Sequence, residues 1–240
     1  MKYGTIPAAG IGSRLQPLAY SKELALVKDK AIIEYVLERM ILAGINKVFI
    51  TIDPDKLDIP KYLSTKSIYK DSVIFIVRQK NHSLTDDLLA PVKFLKDSDY
   101  LFFGLPDTIW YPKDGYTEIQ KQKGEIVLGL FSSKEPEKFG AVTTDANNKI
   151  LLIEDKKIKP KSNWIWGIGK IKVSCAKKIL KSLPENDEPN KRLLGDAIDS
   201  YSKKHDVYGI KLKDSSYLDI GTKEDYKKAE LFLAAIEKTI

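Results

Sequence analysis

A turn near the start of the chain constrains the fold more than any other segment. An apolar, strand-like stretch at residues 3–7 leads directly into a turn that contains Gly10 and Gly12. Without side chains, the glycines let backbone N–H groups approach an anion closely. Arg14 adds a planar charged group that suits phosphate oxygens, and Lys22 adds a more mobile point charge. The stretch therefore predicts a site for a polyphosphate.

Three readings of this turn are distinguished by the residues around it. A dinucleotide-binding fingerprint needs glycine where Leu15 stands, and Arg14 would crowd a pyrophosphate resting on bare backbone. No Walker pattern occurs anywhere in the chain. An ordinary tight turn after a strand stays open as the alternative to a phosphate site.

The length and composition of the chain suit one α/β domain, and we expect a single domain without an appendage. The chain has 240 residues, and its single cysteine, Cys175, excludes an internal disulfide, as expected in a reducing cytoplasm. Residues 1–5 show no feature of a leader peptide, and no apolar run is long enough to span a bilayer, so we expect a soluble, cytoplasmic protein without a membrane partner. The net charge of +7 comes from lysines scattered among acids, and attraction of anionic small molecules or solvation of a lysine-rich surface explains it as well as nucleic-acid binding does, so no nucleic-acid partner is expected.

Hydrophobic periodicity predicts alternating strands and helices. Helical spacing over residues 32–41 stops before Gly44, and the apolar run at 47–52 is typical of a strand covered on both faces. Further strands are predicted at 73–77, 100–104, 126–131, 139–143, 150–154, 164–169 and 207–212, and a short strand is predicted just before Asp219. Helices are predicted at 84–95, 116–123, 176–183, 193–201 and 223–238, and residues 53–72 are expected to be mostly irregular.

Two aspartates follow predicted strands. Asp107 comes after the strand at 100–104, and Asp219 comes after another short strand, with Gly221 following it. Carboxylates presented at strand ends are suited to holding Mg²⁺ over a bound phosphate, because Mg²⁺ takes few carboxylate oxygens and leaves its other positions to water and substrate. A turn aspartate after Pro106 is the alternative for Asp107.

The glycine turn, with the motif Ser21-Lys22-Glu23-Leu24 that follows it, resembles the signature of the sugar-phosphate nucleotidyltransferases. This family includes glucose-1-phosphate thymidylyl- and uridylyltransferases. The Tyr217-Leu218-Asp219-Ile220-Gly221-Thr222 segment is similar to the family's second metal-binding motif, so the resemblance spans nearly the whole chain. It implies a Rossmann-like, three-layer α/β fold with a mixed, mostly parallel central sheet, without the β-helix extension of some relatives.

The resemblance also implies roles for individual residues. It assigns catalysis to Arg14, Lys22, Asp107 and Asp219, of which the two aspartates would bind Mg²⁺. The residues that it implies for nucleotide binding are Ala8, Ala9, Gly10, Gly12, Ser13, Arg14, Gln79 and Ser83. The amide of Gln79 offers a donor beside an acceptor, which matches the edge of uracil or thymine, although an exposed polar residue at a strand end is the alternative.

The predicted sugar-phosphate contacts are Gly140, Glu154, Lys156 and Trp166. Gly140 lets a sugar ring lie against backbone, and Glu154 offers acceptors to sugar hydroxyls. Compared with the family's Glu-Lys-Pro ending, the lysine is displaced by one residue and the proline is missing, so Lys157 is the alternative to Lys156, and a solvated lysine run is another. Trp166 is a candidate apolar wall for the sugar or, alternatively, a core residue.

The implied reaction joins an NTP, with dTTP or UTP favoured, to a sugar 1-phosphate, with glucose 1-phosphate favoured, giving an NDP-sugar and pyrophosphate. A cytidylyltransferase for phosphocholine, a guanylyltransferase for mannose 1-phosphate and a catalytically silent regulatory relative stay open, since Asp86 and Asp87 depart from the family pattern. We expect one domain over 1–240, with a nucleotide-binding part at about 1–110, a sugar-phosphate part at about 111–222 and a C-terminal helix at 223–238. Relatives often form homo-oligomers, but no stretch here identifies an interface.

Overall fold

The computed structural model describes residues 1–10, 18–78, 83–184 and 192–237 of the chain. Within these ranges the strands are β1 (Lys2–Ala8), β2 (Leu26–Val27), β3 (Lys30–Ala31), β4 (Val48–Ile52), β5 (Val73–Val77), β6 (Tyr100–Gly104), β7 (Thr108–Tyr111), β8 (Ile126–Ser132), β9 (Gly140–Thr144), β10 (Ile150–Asp155), β11 (Trp164–Lys172), β12 (Tyr208–Lys211) and β13 (Ser216–Asp219). The α-helices there are α1 (Ile32–Leu42), α2 (Asp58–Ser64), α3 (Leu84–Leu89), α4 (Gly115–Lys121), α5 (Val173–Ser182), α6 (Leu194–Ser202) and α7 (Lys223–Glu237). Short 3₁₀ helices lie at Lys22–Leu24, Ala90–Phe94 and Pro136–Lys138.

A mixed sheet of nine strands forms the centre of the described part of the chain. Its main path is β10-β9-β11-β6-β1-β4-β5, and β8 and β12 extend it from β11. In this sheet, β10 and β11 run in one direction and the other seven strands run in the opposite direction. The sheet is therefore mixed and mostly parallel, as predicted. The strands β4 and β6 flank β1 on opposite sides, so the carboxyl end of β1 is a topological switch point, where α/β sheets bind ligands.

Helices cover both faces of the sheet. Side chains of α1, α2 and α4 pack in one apolar cluster with Ile6 and Ile50, whereas those of α3, α5 and α6 pack in another with Phe49 and Phe103. Successive strand residues such as Phe49 and Ile50 therefore face opposite layers, as the pleat requires. A third cluster joins α7 to β2, α1 and Ile220. The predicted three-layer arrangement is confirmed.

Two segments differ from the sequence-based expectation. The helical pattern over 84–95 is divided, because Pro91 cannot donate a backbone hydrogen bond and α3 ends at Leu89 before a 3₁₀ turn. Residues 53–72, expected to be irregular apart from one short helical turn, contain the seven-residue helix α2, which tolerates Pro60 because the proline lies in its first turn. Among the helices of the described ranges, none is long and apolar enough to cross a membrane.

Candidate active site

The glycine turn leaves the sheet at the switch point. Ala8 is fully buried at the end of β1 and pairs with Ile52 of β4, whereas Ala9 is half-buried and Gly10 is exposed. The other predicted members of the turn, Gly12, Ser13 and Arg14, lie outside the described residues.

Lys22 and Asp107, two predicted catalytic residues, form an ion pair beyond this sheet edge. Their Nζ and Oδ2 atoms are 2.5 Å apart, and each side chain is about 15% exposed, at 16% and 15%. Burial alone would lower the pKa of Lys22, but the Asp107 carboxylate, with smaller effects of Glu23 and Asp219, raises it above its ordinary value. The lysine at this position is therefore held as a cation.

Asp219 reaches the same place through a strand pair that the sequence analysis missed. The strand β7 follows Asp107 directly and pairs antiparallel with β13, with Asp219 opposite Thr108. The backbone N–H of Ile220 also donates to the carbonyl of Asp107 at 2.8 Å. A pairing in a separate two-stranded sheet thus brings the two predicted metal ligands together, although they are distant in the sequence.

These two carboxylates fit a magnesium ion. No group of three or more acidic, histidine or cysteine side chains that could hold a metal occurs in the ranges that the structure describes. Mg²⁺ is commonly held by one or two carboxylates together with water and substrate phosphates, so a pair of aspartates with hard oxygen donors is a sufficient protein contribution.

Three charged residues that the sequence analysis did not predict hold the segment that carries Lys22. Glu23 is fully buried, and both of its carboxylate oxygens lie 2.8 Å from the ammonium of Lys56. Burial raises the pKa of Glu23, and the adjacent Lys56 opposes that effect. Asp58 accepts hydrogen bonds at 2.6 Å from both the backbone N–H and the hydroxyl of Ser21. The sequence did contain a signal for Lys56 and Asp58: both follow β4 directly, and β4 ends at the same sheet edge as Ala8.

Ser83, a predicted nucleotide contact, lies at the N-terminus of α3. Its hydroxyl accepts from the Asp86 backbone N–H at 3.1 Å and donates to the Asp86 carboxylate at 2.6 Å. The same carboxylate forms a two-point ion pair with Arg192, at 3.0 and 2.5 Å. The negative charge of Asp86 is therefore balanced by Arg192 inside the protein. Gln79 lies outside the described residues.

Asp87, the neighbouring carboxylate, has weaker pairing. Its Oδ1 atom is buried without a hydrogen bond, and the nearest Arg78 nitrogen is 3.9 Å away. Burial raises its pKa to about 6, against the opposing charge of Arg78 and together with Asp86 and Asp53. The repulsion expected between this acidic pair and a triphosphate is thus reduced by Arg192 at one residue and by burial at the other.

Gly140 and Trp166, two predicted sugar contacts, lie against each other. A Cβ atom at Gly140 would be 2.1 Å from Nε1 of Trp166, so only glycine allows this approach. Trp166 is 9% exposed, and its Nε1–H is buried without a hydrogen-bond partner in the described structure. A buried indole N–H normally finds a partner, so this unpaired donor is an exception, and the ring fills the space beside Gly140 where the sequence analysis expected a sugar.

Glu154 and Lys156 lie at the end of β10, next to Gly140. The Glu154 carboxylate accepts from the backbone N–H of Lys161 at 2.8 Å. Lys156 has a φ of +53°, and its backbone N–H donates to Phe139 at 2.8 Å, while its side chain is exposed. The chain turn at Lys156 is therefore fixed beside β9.

Aromatic contacts connect these residues to the aspartates. The ring of Trp166 packs edge-on against Phe103 of β6, with centroids 6.0 Å apart, shortly before Asp107 in the chain. Phe139 packs edge-on against Tyr217 of β13, with centroids 5.7 Å apart, two residues before Asp219. We call Lys22, Asp107 and Asp219 the lysine–aspartate end of the site, and Gly140, Glu154, Lys156 and Trp166 its tryptophan end.

Comparison with known proteins defines the class to which this fold and site belong. The nucleotidyl transferase family model matches residues 3–236, and the chain belongs to this family. The predicted resemblance is therefore confirmed over nearly the whole chain.

Two curated relatives and one solved structure show which members of the family this chain is similar to. A glucose-1-phosphate thymidylyltransferase of Neisseria meningitidis is 28% identical over 248 residues, covering 98% of this chain and 83% of the relative. A UTP–glucose-1-phosphate uridylyltransferase of Mycoplasma genitalium is 27% identical over 277 residues, covering 100% of this chain and 94% of the relative. The fold matches a UTP-bound UGPase from Acinetobacter baumannii with a TM-score of 0.81, 19% identity and coverage of 97% and 93%.

Proposed function

We propose that this chain transfers a nucleoside monophosphate from dTTP or UTP to a sugar 1-phosphate, most favourably glucose 1-phosphate, with release of pyrophosphate. The observation that carries the proposal is the meeting of Lys22, Asp107 and Asp219 at the switch point of a nucleotidyl transferase fold. The curated relatives named above support the substrate class, because both act on glucose 1-phosphate by their names.

The reaction is an in-line displacement at the α-phosphorus. An oxygen of the sugar phosphate forms the new P–O bond while the bond to pyrophosphate breaks, and no side-chain nucleophile is needed. The protein's task is to position two anionic reactants and to reduce their repulsion. Lys22 carries its positive charge at the reacting centre, and Arg14 and the backbone of the glycine turn hold the β- and γ-phosphates.

Asp107 and Asp219 hold Mg²⁺ in this proposal. When bound, the ion neutralises charge on the α-phosphate. The pairing of β7 with β13 supports this assignment, because it presents two carboxylates together beside a lysine that stays protonated. Lys22 accompanies Asp107 at 2.5 Å, so the carboxylates are arranged within a polar cluster before substrate binds.

The acceptor occupies the tryptophan end. Gly140 lets the Trp166 ring lie against its backbone, and the Nε1–H of Trp166, unpaired in the described structure, donates to a sugar hydroxyl. Lys156 orients the attacking phosphate. We favour it over Lys157 because its backbone is hydrogen-bonded to Phe139 beside Gly140.

The test is pyrophosphate release across a matrix of substrates. The purified chain is incubated with dTTP, UTP, CTP, GTP or ATP against glucose 1-phosphate, mannose 1-phosphate or phosphocholine, each with Mg²⁺ and with EDTA. We expect turnover with glucose 1-phosphate and dTTP or UTP, and only with Mg²⁺. Turnover limited to CTP with phosphocholine, or to GTP with mannose 1-phosphate, would replace the proposed substrates.

Absence of turnover with every pair, combined with measurable nucleotide binding, would indicate a silent regulatory relative instead. Calorimetric titration of the same nucleotides distinguishes this outcome from an inactive preparation, because a folded regulatory protein still binds its ligand.

A further inference from the structure

The segment that carries Lys22 is held from both sides by the residues that follow β4. Lys22 lies between Ser21 and Glu23, and both neighbours bind a side chain from the stretch 53–58. Asp58 accepts two hydrogen bonds from Ser21 at 2.6 Å, and Lys56 contacts both oxygens of Glu23 at 2.8 Å. Neither Lys56 nor Asp58 contacts Lys22 itself through a described hydrogen bond.

Lys56 also reaches the start of the glycine turn. Its ammonium donates to the carbonyl of Ala8 at 3.0 Å, so its three donors are used by Ala8 and by the two oxygens of Glu23. The backbone of Lys56 is fixed in turn by a hydrogen bond from its N–H to the carbonyl of Asp53 at 2.9 Å. One side chain thus connects the end of β1 to the lysine segment.

Stability alone does not account for this ion pair. Glu23 is 0% exposed and the Lys56 side chain is 9% exposed, so both charges have lost most of their hydration. Buried ion pairs are often no more stabilising than apolar residues of the same size, but their directional contacts specify one geometry. The contacts here specify the position of a short 3₁₀ turn, Lys22–Leu24, which has little hydrogen bonding of its own.

We propose that Lys56 and Asp58 form a clamp that positions Lys22 against Asp107 and links it to the end of β1. The two are positioning residues, since they act through Ser21, Glu23 and Ala8 and not on the reactants. The catalytic part of this inference rests on the proposed function, whereas the structural part does not.

The first test measures the clamp without any enzymatic activity. Hydrogen–deuterium exchange of the full chain is followed at the amides of Ser21, Leu24 and Ala25, which donate to Asp58, Ser21 and Lys22 respectively. In Lys56→Met and in Asp58→Asn we expect these amides to exchange at least ~10-fold faster than in the unmodified protein. The double variant Glu23→Gln/Lys56→Met removes both charges together and is used where Lys56→Met alone does not fold.

Lys170→Met provides the matched control. Lys170 is also a buried lysine, and its ammonium donates to the carbonyl of Gln122 at 2.7 Å, but it lies on β11 away from the switch point. Its replacement should leave exchange at residues 21–25 unchanged. Equal acceleration in Lys170→Met and Lys56→Met would overturn the clamp, because the effect would then be a general loss of stability.

The second test separates positioning from binding. For the substrate pair identified in the matrix, Lys56→Met and Asp58→Asn should lower kcat by about 10–100-fold and change either KM by less than ~3-fold, because small displacements of a catalytic group slow the chemical step. Unchanged kcat with accelerated exchange would overturn the positioning role. A chain that turns over no substrate would contradict the proposed function, and the exchange data would still decide whether the clamp exists.

Discussion

Charged side chains are arranged differently at the two ends of the candidate site. At the lysine–aspartate end, Lys22 is already paired with Asp107, and the neighbouring Glu23 is paired with Lys56. At the tryptophan end, Lys156 is exposed and the Trp166 Nε1–H has no partner in the described structure. The first end is organised by internal ion pairs, whereas the second presents groups whose partners a ligand would supply.

This difference has a physical reason. Phosphates and a metal ion concentrate charge. A site for them must hold its own charged groups in place, because groups that have to reorient during the reaction slow the chemical step. A sugar is neutral apart from its phosphate, so it is bound by close contact and single hydrogen bonds, which an aromatic ring and its N–H provide. We therefore expect substitutions to affect turnover mainly at the first end and acceptor affinity mainly at the second.

The largest effect is expected at the lysine–aspartate end. Asp219→Asn keeps the size of the side chain but removes its charge, and should lower kcat by at least ~10²-fold, since metal-assisted charge stabilisation contributes several kcal/mol. Asp107→Asn should do the same and also release Lys22. Pyrophosphate release is the measurement, with Asp206→Asn as the control because that carboxylate pairs with Lys149 on the surface. Near-normal turnover in either variant would refute the metal assignment.

A smaller and different effect is expected at the tryptophan end. Trp166→Phe keeps an aromatic ring but removes the Nε1–H, so KM for the sugar phosphate should rise by about 3–10-fold with kcat little changed. Trp164→Phe, on the same strand, is the control and should leave KM unaltered. Steady-state kinetics with the acceptor varied provides the measurement. If Trp166→Phe lowers the melting temperature but leaves KM unchanged, the ring belongs to the core alone.

The smallest expected effects are on stability, at the neighbouring carboxylates Asp86 and Asp87. For Asp86, burial acts against ionisation, but Arg192 and Ser83 hold its pKa at about 2, below the ordinary 3.8. Its contribution to stability is present above about pH 4 and is lost as the pH falls towards 2. Asp86→Asn should therefore destabilise the protein at pH 7, with a difference that shrinks below pH 4.

The carboxylate of Asp87 should have the opposite effect on stability at neutral pH. Its pKa of about 6 lies above the ordinary 3.8, so the folded state loses stability as the pH rises from about 4 to 6. Asp87→Asn should consequently be more stable than the unmodified chain at pH 7 and equal to it near pH 4. Urea unfolding between pH 3 and 7.5 measures both variants. If the difference in unfolding free energy between Asp87→Asn and the unmodified chain did not change with pH, ionisation of Asp87 would not destabilise the folded state.

Much of the fold could be predicted because its signals are local. The apolar run at 47–52 and the helical spacing before Gly44 depend on neighbouring residues, and β4 and α1 appear where expected. Thr222 and Asp225, three residues apart, form a capping box before α7: the Asp225 backbone N–H donates to the Thr222 hydroxyl at 3.2 Å, and the Thr222 backbone N–H donates to the Asp225 carboxylate at 3.1 Å. Pro91 was the local signal that the predicted helix over 84–95 overlooked.

The sequence by itself determined which residue types stand at the strand ends: a glycine turn with Lys22, and the aspartates 107 and 219. Only the tertiary structure decided how these charges are paired. The β7–β13 pairing, the contact of Arg192 with Asp86 and the contact of Lys56 with Glu23 and Ala8 each join distant segments. No periodicity encodes such contacts, because a buried charge takes whichever partner the packed sheet brings within reach.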